Sequence, residues 1–180
     1  PASYGPMKVE SGTAYATTAT DAYGEGYAAI ERATRLDHDA AAAMDERTRN
    51  AARADAALSY EDALRAFERA VVAEPTMYEA HTYIGYANRK LERHELALAA
   101  YEKALDLKPD YSRAIEYQGE AFLGLDNFDA TKRNYMRLYA LDAEQADKLL
   151  RAMHAWAEER RHAPGQVPQD QLQRAAAWLA

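Results

Sequence analysis

The 180-residue sequence contains no cysteine. This absence excludes a disulfide framework, a zinc site with cysteine ligands, an iron–sulfur cluster and a covalently attached c-type haem. It leaves the compartment open, because a chain without cysteine is compatible with reducing and oxidising surroundings alike. Cytoplasm, periplasm and the interior of an organelle are all consistent with the sequence.

Clusters of basic residues and long apolar runs are also missing. The chain has 22 Lys and Arg against 29 Asp and Glu, a net charge of −7, and the two signs are interspersed. A surface that binds nucleic acid needs clustered Lys and Arg, so we expect no nucleic-acid partner. No stretch approaches the eighteen apolar residues of a membrane span, and we therefore expect no span either.

Motifs for catalysis or metal binding are missing as well. The sequence has no GxSxG, no HExxH and no Gly-rich phosphate loop, and Gly24-Glu25-Gly26 is too short for a dinucleotide fingerprint. None of the five histidines pairs with another at the i, i+4 spacing of a helical metal site. Nothing marks two carboxylates as a buried acid–base pair. We expect a protein that is not an enzyme and that binds no cofactor or metal.

The residues that are abundant point to helices. Hydrophobic residues make up 48% of the chain, but much of this fraction is alanine, and there are only three Phe and two Trp. A core of small side chains in close contact suits packed helices. The thirteen tyrosines exceed what such a core needs. Their positions are therefore informative about surfaces that contact other molecules.

A period of 34 residues runs through the middle of the chain. The repeated positions are Ala63 and Ala97; Phe67, Tyr101 and Tyr135; Ala70 and Ala104; Pro75 and Pro109; Gly85 and Gly119. Gly and Ala let two helices approach, the aromatic residue fills the gap, and Pro ends the second helix. The pattern predicts helices at roughly 60–73, 77–90, 94–107, 111–124 and 128–141. The links between these predicted helices are only a few residues long, so consecutive helices must be antiparallel. A single pair of such helices cannot bury its apolar face alone and must stack on another pair.

These residues resemble the tetratricopeptide repeat (TPR), a 34-residue helix–turn–helix unit. The middle repeat matches best, through Ile84, Gly85, Ala97, Tyr101, Ala104 and Pro109. The resemblance implies an all-α, TPR-like solenoid of about three antiparallel helix pairs over residues 29–145. The implied repeats are 44–77, 78–111 and 112–145.

The outer repeats depart from the TPR pattern. In the repeat at 44–77 only the second helix is clear, so the spacing leaves open whether residues 29–58 form a repeat helix or a longer, non-repeat one. In the repeat at 112–145, Thr131, Leu138 and Ala143 replace the expected Ala, Ala and Pro.

Both ends of the chain lie outside the repeats. Residues 1–28 are rich in Gly, Ala, Thr and Tyr without a clear helical period, which predicts an extended N-terminal arm. We interpret Tyr15, Tyr23 and Tyr27 of this arm as candidate partner contacts. Residues 146–180 contain two apolar-faced segments separated by APGQVP, and we expect two capping helices that cover the end of the solenoid.

The TPR resemblance also assigns a candidate binding surface. In this family the first helix of each repeat faces the concave groove. The residues assigned to that groove are Glu79, Thr82, Tyr83, Tyr86, Arg89, Lys90, Arg113, Glu116, Tyr117, Glu120 and Leu123. Three tyrosines beside mixed charges are typical of a protein-binding surface, since Tyr supplies a large contact area and a hydroxyl that tolerates water.

One family-specific function is disfavoured. Some TPR proteins hold the C-terminal carboxylate of chaperones with Lys, Arg and Asn at fixed groove positions. The corresponding residues here are Thr48, Ala52, Tyr83, Arg113 and Tyr117. Only Arg113 is suitable, whereas a carboxylate clamp needs several convergent donors.

The sequence is consistent with three functions. The leading hypothesis is a non-catalytic scaffold, adaptor or accessory subunit of a larger complex, which binds another protein or peptide through the groove and the arm. The alternative is a structural protein that self-assembles into a homo-oligomer by exchange of groove and arm between copies. An enzyme would require a pocket in which two or more acids are desolvated together.

Overall fold

A computed structural model describes residues 18–163, 165 and 167–180 as eight α-helices without a strand. The helices are α1 (Ala19–Ala42), α2 (Glu46–Ala73), α3 (Tyr78–Lys90), α4 (His94–Leu107), α5 (Ser112–Gly124), α6 (Phe128–Leu141), α7 (Ala143–His162) and α8 (Gln169–Leu179). Each helix packs on the next, and α1, α3, α5 and α7 also contact one another in that order. The predicted all-α solenoid is confirmed. None of these helices is long and apolar enough to cross a membrane.

The turns that join α3 to α4 and α5 to α6 share one structure. Glu92 and Asp126, 34 residues apart, both adopt a left-handed backbone, with φ of 60° and 56°. In each turn the N–H of this residue donates to the carbonyl three residues earlier, that of Arg89 or Leu123. Because repeated short turns determine where the helices end, the bounds predicted for α3 to α6 are accurate to one residue.

The first helix pair differs from the prediction. The spacing predicts a helix–turn–helix over 44–77, but α2 runs without a break from Glu46 to Ala73. Ser59, directly before the predicted start of the second helix at residue 60, is buried within α2, and its hydroxyl donates to the Asp55 carbonyl at 3.0 Å. No Gly or Pro interrupts this stretch, so the alanine-rich helix continues. The predicted repeat at 44–77 is wrong, and α2 pairs with α1 instead.

The predicted extended arm over 1–28 is also corrected, since residues 19–28 form the start of α1. Thr18 Oγ1 accepts a hydrogen bond from the N–H of Asp21 at 3.0 Å, and the Asp21 carboxylate accepts one from the N–H of Thr18 at 3.2 Å. This reciprocal capping box begins the helix. Residues 1–17, including Tyr15 of the predicted arm, lie outside the described residues.

Hydrogen bonds join α5 to α6 where the sequence departs from the TPR pattern. Thr131 Oγ1 donates to the Gly119 carbonyl at 3.0 Å, and Asn134 Nδ2 donates to the Ile115 carbonyl at 2.9 Å. The bonds satisfy polar side chains that the interface buries. The Cα of Gly119 faces α7, where the Leu149 side chain fills the space that a Cβ would need.

The two predicted C-terminal helices are present as α7 and α8, and aromatic contacts tie them to the repeats. Trp156 of α7 stacks on Phe128 with ring centroids 5.4 Å apart. Trp178 of α8 lies edge-on to Phe128 and Tyr135, at 5.9 and 5.3 Å. Trp156 Nε1 also donates to Asp126 Oδ1 at 2.8 Å. The apolar end of the third pair is thereby covered.

Candidate partner-binding groove

The odd-numbered helices α1, α3 and α5 lie side by side on one face of the solenoid, which we call the inner face. Two of them carry the same dipeptide, Gly26-Tyr27 in α1 and Gly85-Tyr86 in α3. A Cβ on Gly26 would approach the ring of Phe67 in α2, and a Cβ on Gly85 the ring of Tyr101 in α4, closer than 3.0 Å in both cases. Because the glycine faces the even-numbered helix, the next residue, a tyrosine, is turned towards the inner face.

Five tyrosines from α1, α3 and α5 meet on this face. We call Tyr23, Tyr27, Tyr83, Tyr86 and Tyr117 the inner tyrosine cluster. The ring centroids of Tyr27 and Tyr83 are 5.5 Å apart, those of Tyr83 and Tyr86 6.3 Å, and those of Tyr86 and Tyr117 5.1 Å. Aromatic pairs attract at these separations. The cluster therefore links the three helices through their side chains.

Tyr83 anchors the cluster to the core. Its ring stacks on Phe67 at 5.3 Å with an angle of 13°, and only 5% of the residue is exposed. Arg113 Nη1 donates to its hydroxyl at 3.1 Å, while burial raises the pKa of Tyr83. Tyr27, by contrast, is 41% exposed. The cluster thus has a fixed base and an accessible edge.

A cavity of about 340 Å³ opens beside the cluster. Its wall is contributed mainly by α1, with side chains from α3 and α5 opposite. The lining residues are Tyr27, Ile30, Glu31, Thr34, Arg35, Tyr83, Tyr86 and Tyr117. Pockets that hold small ligands begin at about 300 Å³. The cavity is therefore large enough to receive side chains of a partner.

Two ion pairs flank the cluster. Arg89 Nη1 lies 2.5 Å from Glu120 Oε2, and Lys90 Nζ lies 2.6 Å from Asp37 Oδ2. The four side chains are between 17% and 33% exposed. The guanidinium carbon of Arg89 also lies 5.2 Å from the ring centre of Tyr86, within the range of a cation–π contact. These charges are therefore neutralised inside the chain.

Glu116 lies beneath the groove surface and is 3% exposed. Burial, followed by repulsion from Glu120, raises the pKa of Glu116 to about 8, although Arg89 and Lys148 oppose the shift. Glu116 is therefore mostly protonated at neutral pH, while Glu120 is held by Arg89. Neither carboxyl lines the cavity beside the tyrosines. Both carboxyls therefore belong to the contacts between α5 and its neighbouring helices.

Comparisons with known proteins agree with this geometry. The family model described as tetratricopeptide repeat matches residues 78–111, the α3–α4 pair. The α3–α4 pair is therefore a tetratricopeptide repeat. No curated protein matches the chain. Among solved structures, the chain is similar to the first TPR of Spaghetti (RPAP3) bound to the HSP90 peptide SRMEEVD. The identity is 17% and the TM-score 0.51, over 75% of this chain and 95% of that one.

A second solved structure that the chain resembles is the crystal structure of MamA. It has 16% identity and a TM-score of 0.48, over 84% of the chain described here and 85% of MamA. At these identities the resemblance to solved structures extends to the fold alone.

The structure brings four of the residues predicted for the groove together on the inner face. Tyr83, Tyr86 and Tyr117 line the cavity, and Arg113 bonds to Tyr83. Thr82 does not reach the groove surface: it is fully buried, and its hydroxyl donates to the Tyr78 carbonyl at 2.9 Å. The remaining predicted residues of α3 and α5 occupy three kinds of site. Glu116 and Leu123 are buried, Arg89, Lys90 and Glu120 form ion pairs, and Glu79 is half-buried.

Sequence reasoning missed the contribution of α1. It assigned Tyr23 and Tyr27 to an extended arm, whereas both lie on a helix of the inner face. It also omitted Ile30, Thr34 and Arg35, which line the cavity. The repeated Gly-Tyr dipeptide was the signal that could have identified α1 as the first inner helix.

A larger cavity of about 980 Å³ lies elsewhere, between the C-terminal half of α7 and α8. Trp156, Val167, Leu172 and Leu179 supply its apolar wall. It is separate from the inner tyrosine cluster and shares no lining residue with the cavity on the inner face.

Proposed function

We propose that the chain is a protein-interaction scaffold, an adaptor or accessory subunit, that binds an extended segment of another protein along the inner face. The observation that carries the proposal is the inner tyrosine cluster with its adjoining cavity. Tyrosines give a large contact area at low cost in conformational entropy. Packing of the core alone does not require an open cavity beside Tyr27, Tyr83, Tyr86 and Tyr117.

The fold adds support by analogy. The TPR of Spaghetti (RPAP3) is described as bound to an HSP90 peptide, which makes a peptide segment a reasonable class of ligand for a similar solenoid. The analogy stops at that class. The inner face here carries tyrosines and internally paired charges, so contacts with aromatic rings replace the carboxylate clamp as the basis of recognition.

The test is affinity capture from the native source with three full-length baits. Thr34→Arg places a long charged side chain at the cavity while changing an exposed residue of α1. Ala99→Arg adds the same side chain at an exposed position of α4 and is the matched control. We expect a partner that the intact chain and Ala99→Arg retain and that Thr34→Arg loses at least tenfold.

Two results would count against the proposal. Equal capture by all three baits would place binding on another surface. If the intact chain returned only further copies of itself, and light scattering gave a concentration-dependent mass, the self-assembly hypothesis would replace the adaptor. Circular dichroism of each bait verifies that the helical content is unchanged.

A further inference from the structure

The chemistry of the cavity narrows the class of partner. Five of its eight lining residues are four tyrosines and an isoleucine, and the other three, Glu31, Thr34 and Arg35, are polar. With about 340 Å³ of space, it lies at the small end of ligand sites. It therefore accepts one or two side chains of an extended segment and not the face of a folded helix.

The charges around the cavity favour an uncharged ligand. Arg89 already lies 5.2 Å from the Tyr86 ring and 5.5 Å from the Tyr117 ring, so a second cation would meet a guanidinium at the same two rings. An anion would find that guanidinium paired with Glu120 at 2.5 Å. The two charged residues of the cavity wall, Glu31 and Arg35, have opposite signs and lie one turn apart. Arg113 donates to the Tyr83 hydroxyl and does not line the cavity. The charges that line the cavity therefore sum to zero, which favours a neutral segment.

Proline is the neutral residue that suits such a wall. Its ring packs flat on aromatic faces, and a proline-rich segment is already extended as a polyproline II helix, so little conformational entropy is lost on binding. Proline has no N–H, and only its carbonyl oxygens need partners. Tyrosine hydroxyls can donate to such carbonyls.

We propose that the inner tyrosine cluster binds an uncharged, proline-rich segment in the polyproline II conformation, with proline rings in the cavity beside Tyr27 and Tyr86. This inference rests on the proposed function and specifies the partner of the same surface. Thr34 and Arg35 lie at the α1 side of the cavity. A long side chain at position 34 would therefore narrow the cavity from that side.

The probe is fluorescein-labelled decaproline, titrated with the full chain and followed by fluorescence anisotropy. Three peptides of equal length serve as comparisons: a Gly-Ser repeat, a Gly-Ser peptide with one trimethyllysine, and an acidic peptide with a free C-terminal carboxylate. We expect decaproline to bind at least tenfold more tightly than each of them. Tighter binding of the trimethyllysine peptide would overturn the proposal in favour of a cation-binding aromatic cage.

Variants locate the binding site. Thr34→Arg and Tyr27→Ala are expected to weaken decaproline binding at least tenfold. Their controls, Ala99→Arg and Tyr139→Ala, are expected to leave it within twofold, since Tyr139 is 70% exposed on α6 and does not line the cavity. Thr34→Arg changes an exposed site, so it remains informative if Tyr27→Ala proves unstable. Decaproline binding that none of the variants weakens would contradict the proposal.

The two proposals fail in different ways. If decaproline does not bind while a captured partner is still lost with Thr34→Arg, the proline inference is wrong and the scaffold function stands. If neither decaproline nor any captured protein responds to Thr34→Arg, the inner face is not the binding surface and both proposals fall.

Discussion

Gly26 lies against the ring of Phe67 as Gly85 lies against the ring of Tyr101, although 41 residues separate the first pair and 16 the second. In both pairs the glycine belongs to an inner helix and the aromatic residue to the helix that follows it. The α1–α2 pair is therefore built on the same contact as the α3–α4 repeat, with both helices lengthened at the end where they join.

Alanine at these glycines tests the shared contact. A Cβ would stand closer than 3.0 Å to a ring that is fully buried, Phe67 or Tyr101. Overpacking of this kind costs about 1–3 kcal/mol, and the gain in helix propensity offsets only part of it. We expect Gly26→Ala and Gly85→Ala each to lower the free energy of unfolding in urea by about 1–2 kcal/mol.

Gly24→Ala is the matched control for both variants. Gly24 lies in the same helix as Gly26, but a Cβ there would meet no atom within 4 Å. Removal of backbone entropy should raise stability by about 0.5–1 kcal/mol. Similar destabilisation by Gly24→Ala and Gly26→Ala would show that helix propensity, and not contact with Phe67, governs the effect.

Helices α3 to α6 could be predicted from the sequence because their bounds are set by residues that recur every 34 positions, such as Pro75 and Pro109. The first pair could not, because the longer separation of Gly26 from Phe67 breaks that period. The composition of residues 1–28, which includes Gly24 and Gly26, also suggested an extended arm, while the capping box at Thr18 and the packing of Gly26 make residues 19–28 helical.

Glu116→Gln tests the buried carboxyl. Its pKa is raised from 4.5 to about 8, chiefly by burial. A raised folded-state pKa contributes stability that is complete below pH 4.5 and decreases as the pH rises to about 8. We expect the native chain to lose stability relative to Glu116→Gln across that interval, measured by urea unfolding at pH 5, 6.5 and 8.

Glu102→Gln is the surface control for that series, since Glu102 is exposed on α4. It should follow the pH dependence of the native chain. A difference between native and Glu116→Gln stability that stays constant from pH 5 to pH 8 would mean that Glu116 is already ionised in the folded protein.

Glu120→Gln tests the ion pair at the groove. Arg89 would keep its charge in a site where its side chain is only 17% exposed, having lost the carboxylate 2.5 Å away. A group left unpaired in this way costs about 1–3 kcal/mol.

The control is Asp62→Asn, which removes a carboxylate that pairs with Arg65. Both of these side chains are more than half exposed, so the change should cost less than about 1 kcal/mol. Equal effects in thermal unfolding would contradict a structural role for the Arg89–Glu120 pair.

Glycine at the two left-handed turn positions separates backbone strain from side-chain contacts. Glu92→Gly removes the strain of a positive φ and should be neutral or stabilise the protein by up to about 1 kcal/mol.

Asp126→Gly relieves the same strain but removes the carboxylate that accepts hydrogen bonds from Trp156 Nε1 and Arg160 Nε, at 2.8 and 2.7 Å. We expect a net loss of about 1–2 kcal/mol. Stabilisation by both changes would show that Asp126 does not hold α7.

Only part of the candidate site could be predicted from the sequence, because only part of it follows the 34-residue period. Tyr83, Tyr86 and Tyr117 could be assigned from the repeat register. The burial of Thr82 and Glu116 depends on how neighbouring helices pack, and the cavity depends on Ile30, Thr34 and Arg35 of a helix that the period does not reveal.

Site-specific photo-crosslinking in the native source tests the central claim most directly. Benzoylphenylalanine is introduced in place of Thr34, beside the inner tyrosine cluster, or in place of Ala99 on α4. The proposed function predicts a crosslink from position 34 to a second protein, mapped by mass spectrometry to an extended segment, and none from position 99. A crosslink to that protein from position 99 alone would contradict it.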